Sequence, residues 1–177
     1  MARTDVAPAR RRRRVIRLEQ SAPRQQPPRR RRGYTVRFDI GGVTGHLTTN
    51  AYPDGKLGEL WVHVDGQGTP ISGFLASLST AVSLGLQHGV PLETYVARYA
   101  GMRFDPSGPV ADPDIGYAHS LPDYVFRRLA LDYLDPATCT DLGITPPRSP
   151  DRAESAVQNT RWEHLSDRSQ ADLGHPT

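Results

Sequence analysis

The sequence holds one cysteine, Cys139, among 177 residues. A lone cysteine excludes an internal disulfide, a dithiol redox pair and any zinc site built on cysteines. Of the 22 basic residues only Lys56 is a lysine. No apolar run reaches the length of a membrane span, and the early arginines are not followed by the apolar core of a signal peptide. Together these absences predict a cytoplasmic protein without membrane contact. The signatures GxSxG and HExxH, the P-loop and the Rossmann fingerprint are all missing. The six histidines (His46, His63, His88, His119, His164 and His175) are scattered, with no pair at the helical spacing that metal sites favour. No catalytic or metal-ligating residue is therefore assigned.

Charge is also missing from one long stretch, for no Asp, Glu, Lys or Arg stands between Asp65 and Glu93. Within it Phe74, Leu75, Leu78, Val82 and Leu86 recur at three-and-four spacing, which predicts a helix over 71–88 with that stripe in the core. Ser72, Ala76, Ser79 and Ser83 form a second strip of small residues where charges would be expected. Two readings stay open: the strip is covered by its own domain, or it receives a partner. Gly89 tolerates a left-handed cap and Pro91 opens a second helix over 91–100, with Leu92, Tyr95, Val96 and Tyr99 inward. His88, Tyr95 and Tyr99 join the strip as candidate partner contacts.

What charge there is lies unevenly. Residues 1–33 carry twelve arginines against Asp5 and Glu19, net +10, so the rest of the chain carries −7 of the total of +3. An arm this polar cannot bury enough surface to offset its ordering entropy and is read as disordered. Its clusters, Arg10, Arg11, Arg12, Arg13 and Arg14, then Arg29, Arg30, Arg31 and Arg32, are candidate anion contacts for nucleic acid, nucleotides or an acidic protein surface.

From residue 34 the texture becomes alternation. Tyr34, Val36, Phe38 and Ile40 point one way and Thr35, Arg37 and Asp39 the other, as a half-buried strand requires. Gly41 and Gly42 make a turn, a second strand runs through 45–52, Pro53, Asp54 and Gly55 make a hairpin turn, and a third strand fills 58–64. The loop after Gly101 contains Asp105, Asp112 and Asp114. Asp before Pro initiates turns and the spacing matches no calcium loop, so these are read as loop residues. Ser120, Pro122 and Asp123 predict a helix start, and the helix over 121–134 carries Val125, Phe126, Leu129, Tyr133 and Leu134 on one side and Arg127, Arg128 and Asp132 on the other. The segment around Cys139 is read as loop, and 146–177 as a polar, disordered tail. The fold class is α+β: a three-stranded antiparallel sheet packed against about three helices, with an arm at 1–33, a module at 34–145 and a tail at 146–177.

Four strings in order, NAYPDGKLGELWVHV, VSLGLQHGVPLETYV, MRFDPSG with DPDI, and SLPDYVFRRLALDYL, resemble the C-terminal TSCPD module of adenosylcobalamin-dependent (class II) ribonucleotide reductases over about residues 33–144. In that family the module trails a ten-stranded barrel that holds cobalamin, nucleotide and the radical-forming cysteine. The barrel, the terminal dithiol and the cysteine motif behind the module's name are all missing from this sequence, so no catalytic residue carries over. The resemblance implies a free-standing, non-catalytic module that contacts a reductase catalytic subunit or another copy of itself. Adenosylcobalamin would be reached only through a partner reductase. It also explains how such a chain could carry a reductase's name without its active site. The alternative reading is a regulator that binds nucleic acid or nucleotide through the arginine arm and dimerises through the module.

Overall fold

The computed structural model describes residues 23–66 and 68–145; the calls made for Arg10 to Arg14 and for the tail at 146–177 lie outside them. Three strands come first: β1 (Arg32–Ile40), β2 (Val43–Ala51) and β3 (Leu57–Val64). They form an antiparallel sheet in the order β1-β2-β3. Gly41 and Gly42 have φ of 57° and 82°. This is the two-residue hairpin turn whose twist suits the flanking strands. The expected alternation fixes which face is covered: Phe38, Ile40, Leu47, Leu60 and Val62 are buried on one face, while Arg37, His46, Trp61 and His63 are exposed on the other.

Four helices follow, α1 (Pro70–Gln87), α2 (Leu92–Tyr99), α3 (Leu121–Tyr133) and α4 (Pro136–Asp141), with a small pair of strands, β4 (Gly108–Pro109) and β5 (Tyr117–Ala118), before α3. Thr69 caps α1 by accepting the amide of Ser72. Gly89, at φ 85°, closes the helix, its N–H and that of Val90 meeting the carbonyls of Leu86 and Gly85 at 3.0 and 2.9 Å. Ser120 caps α3 as the sequence predicts, accepting the amide of Asp123 at 3.1 Å. Asp123 in turn accepts the amides of Gly101 and His119 at 2.6 and 2.9 Å, which pins the loop after α2 to the start of α3.

The centre of the core is α3, not α1. Ten of the thirteen α3 residues are buried, and Tyr124, Phe126 and Leu129 are sealed completely. Phe126 stacks under Tyr99 and Tyr95 of α2, with ring centroids 4.6 and 6.3 Å apart, and Tyr124 meets Phe38 of β1 at 5.4 Å. Each such aromatic contributes about 1.5–3 kcal/mol by leaving water. The expected polar side of α3 is corrected in part: Arg128 is 8% exposed and Arg127 half-buried, whereas Asp132 is exposed as expected. Two short elements, α4 and the β4–β5 pair, stand where only loop was expected.

The N-terminal arm is also corrected, in its described part. The amide of Gln25 donates to the carbonyl of Gln87 at 2.8 Å, the hydroxyl of Tyr52 donates to the carbonyl of Gln25 at 2.5 Å, and Arg24 Nε reaches Gln87 Oε1 at 2.8 Å. Arg31 pairs with Glu59, a carboxylate otherwise bonded by Asn50 at 3.3 Å. Composition favours disorder here, but these four tethers hold the segment across the end of the sheet.

Candidate functional site

The small-residue strip on α1 does not form one surface. Ser79 and Ser83 are 1% and 8% exposed and turn toward β3. The amide of Val62 donates to Ser79 Oγ at 3.0 Å and that of Leu60 to Ser83 Oγ at 3.0 Å. Ser83 Oγ returns a proton to the carbonyl of Leu60 at 3.2 Å, and Gln87 Nε2 donates to the carbonyl of Gly58 at 3.2 Å. These are the backbone groups of β3 that face away from β2, so α1 occupies the place of a fourth strand and satisfies that edge with side chains. An exposed strand edge is open to unwanted pairing, and covering it with a helix removes the hazard. Of the other strip residues, Ser72 is half-buried at the helix start and Ala76 is exposed.

Tyr95 and Tyr99, both half-buried, stack on Phe126 in the α2–α3 packing. Burial, then the neighbouring Tyr99, raises the Tyr95 phenol above its ordinary value. The Tyr95 hydroxyl rests against α1 at Gly85, in space that a Cβ there would contest. His88 sits half-buried at the end of α1, its amide on the carbonyls of Leu84 and Gly85 at 3.0 Å.

Turning the serines inward rotates part of the apolar stripe outward. Leu75 and Val82 are buried as expected, but Phe74 is 54% exposed, and Ile71 and Leu84 are 38% and 39% exposed. Phe74 and Leu84 lie on the outward side of α1 and Ile71 nearer the flank with half-buried Leu78, within the stretch that carries no charge. The exposed side of α1 therefore carries no acidic side chain, lysine or arginine.

Sequence reasoning missed a second feature, a polar cluster around the buried Arg128. Its guanidinium bonds Asp112 at 3.2 Å, Asp114 at 2.9 Å and Asp132 at 2.9 and 2.6 Å. Tyr124 donates to Asp112 at 3.2 Å, and Tyr34 donates to Asp132. Burial works against the guanidinium's charge, but its bonds to Asp132 and the nearby Asp114 and Asp112 outweigh that and hold it above its ordinary range. The readable signals were the i,i+4 pair Arg128–Asp132 and the two aspartates either side of Pro113. The cluster staples the Asp-Pro-Asp loop and β1 to α3, each of the three carboxylates bonding Arg128. Among the described residues no group of three His, Cys, Asp or Glu side chains is placed to hold a metal. Arg29, Arg30 and Arg32 remain exposed, whereas Arg31 is taken up by Glu59.

A shallow cleft of about 410 Å³ lies beside β1, lined by Val36 to Asp39, by Val110 to Pro113 and by Tyr124. It is at the small end even for a drug-sized ligand. It does not fit a corrin ring, and Cys139 is buried with its Sγ 3.3 Å from the carbonyl of Ala130.

Residues 16–133 match the model of the TSCPD domain. The chain is 46% identical over 127 residues to the vitamin B12-dependent ribonucleotide reductase of Streptantibioticus cattleyicolor, covering 72% of this chain and 21% of that protein. It is 40% identical over 156 residues to the enzyme of the same description from Streptomyces clavuligerus, covering 88% and 16%. For that of Bradyrhizobium diazoefficiens the identity is 46% over 112 residues, covering 63% and 9%. The chain thus spans about a fifth or less of the length of these relatives. No solved structure matches it.

Proposed function

Because the chain belongs to the TSCPD domain family, we propose that it is a non-catalytic accessory module of a vitamin B12-dependent ribonucleotide reductase, acting by protein contact in the reduction of ribonucleotides to deoxyribonucleotides. The observation that carries this reading is the uncharged outer face of α1, where Ile71, Phe74 and Leu84 stand exposed without a covering element among the described residues. The chemistry argues the same way. Reducing a ribose needs a radical-forming cysteine, a paired reductant and a cavity for the cofactor, and one buried cysteine supplies none of these. Adenosylcobalamin is reached through the partner, and no step of the reaction is assigned to this chain.

The test is binding of the full chain to a purified B12-dependent reductase polypeptide from the same host, measured by calorimetry. Saturable binding that Phe74→Asp weakens supports the reading. No binding, or binding indifferent to changes at Phe74 and Ile71, overturns it.

A second reading is favoured by the exposure of Arg29, Arg30 and Arg32 at the entrance to β1: binding of nucleic acid or nucleotides through the arm. Such binding falls steeply with salt, and insensitivity to ionic strength would end that reading.

A further inference from the structure

The two edges of the sheet are treated differently. The outer groups of β3 are met by Ser79, Ser83 and Gln87. Those of β1 are not. In the β1–β2 hairpin, closed by a two-residue turn, Ile40, Phe38, Val36 and Tyr34 direct their N–H and C=O groups at β2. Thr35, Arg37 and Asp39 therefore direct theirs outward, and among the described residues no hydrogen bond reaches those backbone groups. A cleft runs along this edge from Val36 to Asp39, with Val110 to Pro113 and Tyr124 forming its other wall.

An open edge is usually blunted by lysine, proline, a bulge or a row of like charge. Here β1 is nine residues long and pairs with β2 without a bulge. Its outer face carries Arg37 and Asp39, opposite in sign, exposed and two positions apart. Such a pattern is complementary to itself when reversed. We infer that β1 is a self-pairing edge, joining a second copy of this chain antiparallel to form a continuous six-stranded sheet about a two-fold axis at Phe38.

Only one register pairs both charges. With Phe38 opposite its counterpart, Arg37 of each copy faces Asp39 of the other, and both residues are of the outward-bonding set, so their N–H and C=O groups meet as well. Centring on Arg37 instead sets like charges together, and centring on Val36 leaves both charges opposite neutral residues. Opposite charges directly across strands stabilise a pairing and like charges oppose it. A two-fold contact uses each such pair twice. In the single chain Asp39 accepts from Thr44 Oγ1 at 2.7 Å, a bond at the turn end that leaves its second oxygen for Arg37 of the other copy. This contact lies on a different element from the outer face of α1, so the two surfaces fail or succeed separately.

The test is sedimentation equilibrium of the full chain with charge reversals. The paired segment is short, so the dimer is weak, with Kd on the order of 100 µM. Arg37→Asp and Asp39→Arg each place two like pairs across the axis and weaken association by about tenfold or more. The double variant Arg37→Asp with Asp39→Arg restores opposite pairing and brings association back to within about twofold of the wild type. Circular dichroism checks that each variant folds. Amide exchange at Arg37 and Asp39 slows as concentration rises, and Phe74→Asp leaves that slowing unchanged. A wild-type chain that stays monomeric at about 1 mM, a dimer indifferent to the single reversals, or a double variant as weak as the singles would each overturn the inference.

Discussion

Arg128 grips Asp132 with two arms of its guanidinium, Nε at 2.9 Å and Nη2 at 2.6 Å, one turn apart on α3. The remaining arm holds Asp112 and Asp114. Three acids thus depend on one cation in a site only 8% exposed at the arginine. The arginine is buried but Asp132 is exposed and Asp112 and Asp114 half-buried, so Arg128→Met is expected to cost about 1–3 kcal/mol in urea unfolding. Arg128→Lys keeps the charge but loses the fork, and its cost should fall between wild type and Met.

The bonds from Ser79 and Ser83 to β3 make a smaller, local claim. Replacing either serine by alanine orphans a buried amide, at an expected cost of about 1–3 kcal/mol each. Hydrogen exchange locates the damage: the amides of Leu60 and Val62 should lose protection while those of β2 keep theirs.

Alkaline pH offers an independent probe. Burial, then the nearby Asp132, raises the Tyr34 phenol above its ordinary value of 10.0. Burial, then Asp112, does the same for Tyr124, and burial raises Tyr133. A group that holds its proton more tightly folded than unfolded contributes stability that is complete below the unfolded pKa and is lost as pH rises above it. Stability should therefore fall above pH 10, with these phenols ionising only as the chain unfolds, seen in the ultraviolet absorbance of tyrosinate. Tyr34→Phe should flatten that fall.

Phe74 is mostly exposed, so Phe74→Asp should change the urea midpoint little, within about 0.5 kcal/mol. Binding to a B12-dependent reductase polypeptide, by contrast, should weaken by about tenfold or more.

Two truncations test the contacts made by residues 24–31. Removing residues 1–22 keeps the contacts of Arg24, Gln25 and Arg31, and stability should hold. Removing residues 1–31 also leaves Glu59 without Arg31, a further loss of about 1–3 kcal/mol in the same urea measurement.

Strands and helix starts were legible because they are local. Alternation from Tyr34 to Ile40, the Gly41–Gly42 turn and the Ser120 cap each announce themselves within a few residues, and all three stand in the structure. The rotation of α1 was not legible. Serine at helical spacing looks like surface until a strand edge is known to lie beside it, because its hydroxyl can both donate and accept. Arg128 was assigned to the polar side of α3 since its three acids come from a loop and from its own helix, and only the fold brings them together. The arm was misjudged between 23 and 31 for a related reason: its partners, Gln87, Tyr52 and Glu59, are far away in sequence. The α4 helix and the β4–β5 pair are too short for periodicity to register.

The way α1 lines up with β3 also sets a length. Four residues of helix advance about 6 Å, whereas two residues of strand advance about 6.7 Å, so successive contacts fall out of step by a fraction of an ångström each time. Serine suffices for the first two, at Val62 and Leu60, and the third, at Gly58, is made by the longer reach of Gln87. A vernier of this kind runs out after a few marks. A longer third strand would outgrow its helix, and the sheet would have to end there or take on a true neighbour.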